Sequence, residues 1–289
     1  MSDTDYNINW FPGHMAKAMR QIREKLNLCD VVIEVLDSRA PFSSINKALK
    51  EMIKDKPLLF VMNKIDMADE RVTKEWLTEL NKTTMTVCLN SLDGVGNIKI
   101  IEDALAKLLK DKIDKAASFG KSIYPIKAIV AGIPNSGKST LMNNLAKRKA
   151  MTTGDKPGVT KSQTYLKASD KLILLDNPGI LWPKFENQNQ AKLLCLIGSI
   201  KDEIVPINVI SEFGIDVLKR YYPNELKARF KLDTLDKTSE ELLYDIGRKR
   251  GCLLRGGEID IDKANEIFLR DLRSGKIGRM TFERVGEPL

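Results

Sequence analysis

Residues 60–69 read FVMNKIDMAD, Phe60 to Asp69. Asn-Lys-x-Asp at the end of an apolar strand is a pattern that reads guanine. A carboxylate such as Asp66 can accept from guanine N1–H and the 2-amino group together, a pair of donors that adenine lacks. Asn63 would bridge base and loop, and the Lys64 stem would cover the ring face. A phosphate-binding loop should precede such a base reader. Here it follows, as AGIPNSGKST at residues 131–140. Either the first match is accidental, or a nucleotide-binding domain has been cut and rejoined.

The second stretch argues for the rejoined domain. Gly132-Ile-Pro-Asn-Ser-Gly137-Lys138-Ser139 fits G-x-x-x-x-G-K-[ST], with an apolar strand before it and a helix pattern after it. Its glycines let backbone N–H groups face phosphate oxygens, and the helix N-terminus adds a positive dipole. Asn135, Ser136, Gly137 and Thr140 would complete the cradle. Lys138 would reach the β- and γ-phosphates and Ser139 would ligate Mg²⁺. Asp176-Asn-Pro-Gly179 closes the strand KLILL and lies 38 residues after Lys138. This makes it a second switch, with Asp176 toward Mg²⁺ and Gly179 N–H toward the γ-phosphate. Thr160, in KPGVTKS, is the Mg²⁺-sensing hydroxyl of a first switch. Thr152 and Thr153 compete for that role on sequence alone.

The order is therefore base reader, phosphate loop, first switch, second switch. Joining the old ends and cutting elsewhere keeps a sheet intact, because termini often lie close together at a surface. The small, polar stretch 114–122 is the expected joint. The cut then falls after the second switch and leads directly into the C-terminal part of the chain.

Alternating apolar runs and amphipathic stretches support this reading. VVIEVLD (31–37), PLLFVMN (57–63), MTVCLN (85–90), PIKAIVAGI (125–133) and KLILLDNPG (171–179) read as strands separated by helices, one of them spanning IKIIEDALAKLLKDKI. Strand–helix alternation predicts an α/β fold with a mostly parallel sheet. After about residue 185 the strand signal fades and the remaining segments read as helices. Thr238-x-x-Glu241 is a capping box, and Gly251 is a C-terminal stop. The expected division is a GTPase domain over 1–183 and a smaller all-α domain over 184–289.

Composition bounds the rest. The 289 residues are 43% apolar and 30% charged, a soluble globular profile. No run of about twenty apolar residues marks a membrane helix, and the N-terminus does not read as a secretory signal. Four scattered cysteines without a C-x-x-C pair argue against a zinc site or a disulfide framework and fit a reducing cytoplasm or organelle matrix. Residues 1–183 carry 28 Lys and Arg against 21 Asp and Glu, most of the net charge of +8. Such a surplus suits RNA as well as a solvated lysine-rich surface.

WFPGHMAKA at the start, LDSRAPFSS (36–44), NKID, GIPNSGKST, KPGVTK and LLDNPGILWPKFE together resemble the ribosome biogenesis GTPase A family, also called YlqF, over nearly the whole chain. The resemblance implies a circularly permuted P-loop GTPase that binds the immature large ribosomal subunit and assists its late maturation. It further implies a helical C-terminal domain contacting rRNA, and a monomer is expected. GTP and Mg²⁺ are the implied cofactors. Asn135 stands where related GTPases place a K⁺ ligand. One departure concerns the loop that usually reads Ser-Ala-Lys behind the guanine, here Asn90-Ser91-Leu92. The Ser91 N–H could still meet guanine O6.

Ile180 follows D-x-x-G where many GTPases place a water-orienting Gln, so turnover should be slow alone and stimulated by the subunit. His14, the single histidine, is the candidate replacement, since a neutral imidazole can both accept from and donate to water. Two rival readings stand beside this one. In the first, an RNA-binding scaffold uses GTP only to order the fold. The second, an ATPase, is opposed by Asp66.

Overall fold

The computed structural model describes residues 13–93, 96–120, 124–146, 165–175 and 187–287. Six strands form one sheet: β1 (Val31–Asp37), β2 (Leu58–Asn63), β3 (Thr86–Cys88), β4 (Ile126–Ala131), β5 (Tyr165–Lys167) and β6 (Leu172–Leu175). Their order is β3-β2-β1-β4-β6-β5, and every neighbouring pair is parallel except β5 with β6. The short edge strand β5 lies in a stretch without a strand pattern; at three residues it is too brief to show one.

Side-chain alternation explains why the sheet is covered on both faces. Val31, Ile33 and Val35 of β1 join Leu59 and Val61 of β2 and Ala128 and Val130 of β4 in one core. That core is closed by α4 (Asn97–Leu108) and α6 (Lys138–Ala146), through Ile101, Leu105, Leu141 and Leu145. The intervening residues face the other way. Val32 and Ile129 meet α1 (Gly13–Leu26) and α2 (Lys47–Ile53). Leu36, Phe60 and Met62 meet Val72, Trp76 and Leu80 of α3 (Glu70–Asn81). Each fully buried aliphatic side chain in these layers contributes about 2 kcal/mol.

The helix expected over 98–113 is two helices. α4 ends at Leu108 and α5 (Lys110–Ser118) begins after Leu109, whose φ of −111° breaks the ladder while its side chain is buried. Good helix formers, Lys115 to Ala117, then carry α5 into the expected connector. The joint that leads to β4 is accordingly shorter than 114–122.

Residues 187–287 are mainly helical: α7 (Gln188–Leu196), α8 (Ile207–Tyr221), α9 (Pro223–Phe230), α10 (Ser239–Arg250) and α11 (Ile261–Arg273). The capping box at Thr238 and Glu241 forms, and Gly251 ends α10 with φ +68°. The helices share a core that also takes in Ala40 and Ile133 from the sheet's loops. The expected boundary at 183/184 lies outside the described residues. Past α11 the chain runs back over the sheet's carboxyl edge as an irregular strap. Met280 N–H donates to Met67 O at 2.8 Å and Phe282 N–H to Arg39 O at 2.7 Å. Glu283 is buried there, accepting from Phe42 N–H at 2.7 Å and from Ser43 N–H at 3.0 Å.

Two buried carboxyls give the fold a pH signature. Burial raises Glu34, in the middle of β1, to about 8 against the pull of Asn46 N–H and Lys50. Burial likewise raises Glu283 to about 7 despite its bonds to Ser43 and Phe42. Both hold a proton more tightly folded than unfolded. Their stabilising contribution is complete below the ordinary glutamate value of 4.5 and is lost as pH rises through about 7 and then about 8. Urea midpoints should fall between about pH 5.5 and about pH 8.5. A Glu34→Gln/Glu283→Gln double variant should show a flatter profile; an unchanged slope would contradict both assignments.

Candidate nucleotide site

The strand order reverses between β1 and β4, since β2 and β3 extend to one side and β6 and β5 to the other. In parallel sheets the crevice at such a point, beyond the strands' carboxyl ends, is where ligands bind. The loops after β4, β1, β2 and β3 converge there.

The loop after β4 is residues 132–137. It turns through Gly132 at φ +141°, Asn135 at +58° and Gly137 at +95° before α6 begins at Lys138. A Cβ on Gly132 would collide with the Val35 carbonyl of β1, and one on Gly137 with the Asn63 side-chain amide. The glycines therefore serve packing against the neighbouring loops as well as phosphate approach. Lys138 is buried and donates to Ile133 O at 2.8 Å, spanning its own loop. Ser136 Oγ is buried without a hydrogen-bond partner among the described residues, while Ser139 and Thr140 are exposed on the first turn of α6. A turn of this shape over a helix N-terminus, with an orphaned hydroxyl, fits a nucleotide phosphate. Ser139 is open to a cation held by that phosphate.

Asn63 ties three segments together. Its Nδ2–H donates to Ser136 O at 2.8 Å, while its Oδ1 accepts from Ser91 N–H at 2.9 Å and Ser91 Oγ–H at 2.7 Å. The Ser91 N–H thus serves Asn63. Asn90 orders its own turn, accepting from Leu92 N–H at 3.0 Å on its side chain and from Asn97 Nδ2–H at 2.7 Å on its carbonyl. Asn144 of α6 donates to Ser91 O and fixes the loop from above.

Lys64 has φ +63°, which turns its side chain back over the sheet edge. Its Nζ donates to Asn135 O at 2.5 Å and to Asp37 Oδ2 at 2.8 Å. Asp37, at the end of β1, is fully buried and also holds Arg39 through two bonds of 2.9 and 2.8 Å. Burial alone would raise the Asp37 carboxyl, but Arg39 and Lys64 outweigh it and hold the group well below the usual carboxylate range. Asp66 is exposed on the turn 64–67, open to a ligand. The Asn135 side chain donates to Gly198 O at 2.7 Å, linking the phosphate loop to the helical segment.

His14 lies in the first turn of α1, and nothing more is described of it. Thr160, Asp176, Gly179 and Ile180 lie outside the described residues. Asp37 and Arg39 were missed as site residues; a carboxylate ending a buried apolar strand and followed two residues later by arginine was the available signal.

A family model described as 50S ribosome-binding GTPase matches residues 127–240. Ribosome biogenesis GTPase A of Bacillus cereus is 48% identical over 281 residues, covering 97% of this chain and 95% of that protein. Among solved structures, the GDP-bound structure of TM YlqF aligns with a TM-score of 0.70 at 27% identity, over 93% of this chain and all of that one. GNP-bound YlqF from T. maritima aligns at 0.66 and 26%, over 94% and 100%. Fold and site define a P-loop GTPase in which β2, the strand ending in Asn63-Lys-x-Asp66, precedes the phosphate loop. The chain belongs to the ribosome biogenesis GTPase A, or YlqF, family and hydrolyses GTP.

Asn63→Ala would leave the Ser136 carbonyl and the Ser91 N–H without partners. It should cost about 2 kcal/mol of stability, read by chemical denaturation without nucleotide. A loss near zero would mean the three loops are not joined through this amide.

Proposed function

We propose that this GTPase is an assembly factor that binds the immature large ribosomal subunit and promotes its late maturation, with rRNA contacts made by the helical C-terminal segment. One observation carries the reading: the phosphate loop is built into the helical segment. Ile133 lies in that segment's core, and Asn135 bonds Gly198 O. A nucleotide on residues 132–139 then bears directly on the surface that would meet RNA. The names of the family model and of the relatives support a ribosomal partner.

In this reading Asp66 recognises the guanine edge, with Asn63, Lys64, Asn90 and Ser91 shaping its pocket. Gly137 and Lys138 hold the phosphates, with Asn135, Ser136, Ser139 and Thr140 beside them. Ser139 and Thr160 ligate Mg²⁺, with Asp176 beside it, and Gly179 senses the γ-phosphate. A K⁺ ion would use Asn135 Oδ1, because the other end of that amide is committed to Gly198. His14 orients the attacking water on the bound subunit. No helix among the described residues is long and apolar enough to cross a membrane.

Sedimentation with precursor large subunits tests the partner. Binding should be stronger with a non-hydrolysable GTP analogue than with GDP and should weaken as salt rises, because Lys and Arg contacts release counterions from RNA. Equal binding in both nucleotide states, or no salt dependence, would contradict the proposal. His14→Ala should keep GTP and subunit binding but lose most subunit-stimulated turnover, at least about tenfold. Equal single-turnover rates on saturating subunits would leave His14 with no catalytic role.

A further inference from the structure

The turn that carries Asp66 makes little use of its own backbone acceptors. Its internal bonds are Met67 N–H to Lys64 O at 3.0 Å and Ala68 N–H to Ile65 O at a long 3.4 Å. The carbonyls on either side of Asp66 are met instead by the strap, more than two hundred residues away in sequence. Arg279 Nε–H donates to Ala68 O at 2.9 Å and Arg279 Nη2–H to Ile65 O at 3.0 Å. Met280 N–H takes Met67 O at 2.8 Å. Three consecutive donors of one segment thus hold residues 65, 67 and 68 and leave Asp66 standing exposed between them.

The strap is itself anchored. Thr281 Oγ–H donates to Ser38 O at 3.1 Å, and the Tyr222 hydroxyl accepts from Thr281 N–H at 2.9 Å. Met280 and Phe282 are buried in the core of the helical segment. A planar guanidinium spanning two carbonyls fixes their separation in a way a single donor cannot. A carboxylate reading two guanine donors must be placed to within about 0.5 Å, so what fixes the turn fixes the selectivity.

We propose that Arg279 is a positioning residue for guanine recognition: by forking between Ile65 O and Ala68 O, beside the Met280 N–H bond to Met67 O, it sets the turn on which Asp66 stands. The inference rests on Asp66 being the base reader. The bland reading of Arg279 is a surface cation near Glu70, whose Oε2 is 3.9 Å from Nη1.

The test compares affinities of the full chain for GTP and inosine triphosphate, which lacks only the 2-amino group that Asp66 would engage. Phosphate contacts are common to both nucleotides, so partial unfolding lowers both affinities equally and leaves their ratio unchanged. Arg279→Ala should reduce the GTP preference by about tenfold, mainly through weaker GTP binding. Arg279→Lys keeps charge and one donor nitrogen but not the fork; it should fall between, and it reads the same ratio if the alanine variant fails to fold. Glu70→Ala removes the exposed ion pair alone and should leave the ratio intact. Asp66→Ala should bring the ratio near one. A ratio unchanged in Arg279→Ala while Asp66→Ala collapses it would overturn the role of Arg279 alone. A ratio unchanged in Asp66→Ala would overturn the base reader and the strap's role with it. An equal fall in Glu70→Ala would assign the effect to surface charge and overturn the fork.

Discussion

The buried carboxylate of Asp37 is the point on which the site's geometry turns. It sits at the carboxyl end of the central strand with no exposed surface, and two cations compensate it. Removing one partner of such a group leaves an uncompensated buried charge, which costs far more than the pair contributes. Each cation has a second duty. Lys64 reaches on to the phosphate loop at Asn135 O, and Arg39 reaches Ile197 O at 3.1 Å in the helical segment. One carboxylate thereby sets the spacing between the loop after β2, the phosphate loop and the helices.

This arrangement changes how the C-terminal helices should be regarded. Their core includes Ile133 of the phosphate loop and Ala40 of the loop after β1. Arg273 of α11 bonds Leu196 O and Cys195 O at the end of α7, beside Gly198, which receives Asn135. The helices are therefore not hung from the sheet by a single linker. They form one wall of the crevice in which the nucleotide is expected. A permuted chain order makes this possible: with β1 to β3 placed before the phosphate loop, the segment after β6 is free to return across the sheet's carboxyl edge.

Much of this was legible in the sequence because it rests on short-range rules. The phosphate loop needs glycine at 132 and 137 for backbone reasons, the strands alternate faces residue by residue, and Thr238 with Glu241 caps its helix locally. What was not legible depends on long-range pairing. Arg39 stands two residues from Asp37 in sequence, but Lys64, the cation that carries the carboxylate's hold on to the phosphate loop, reaches it from 27 residues away. Arg279 looks like surface charge, since the acceptors it holds are main-chain carbonyls that leave no signature in residue type. Leu109 reads as the interior of one amphipathic helix, and only its burial at a corner shows the break.

The strap also imposes a timetable. Ala68 and Arg279 are separated by 211 residues and Ser38 and Thr281 by 243. At translation speeds of about 5–20 residues per second, the turn at 64–68 waits about ten to forty seconds for its carbonyl partners. During that interval β1 to β4 and the phosphate loop can already assemble, because every strand they need has been made. A nascent chain can thus carry the paired strands β1 to β4 before the segment that closes over the turn at 64–68 exists. Contacts this distant also slow folding, since the chain entropy lost in closing such loops is spent before their bonds form. Under the role proposed for Arg279, discrimination between purines would be acquired late in synthesis, as a property of the finished strap rather than of the domain that carries the motif.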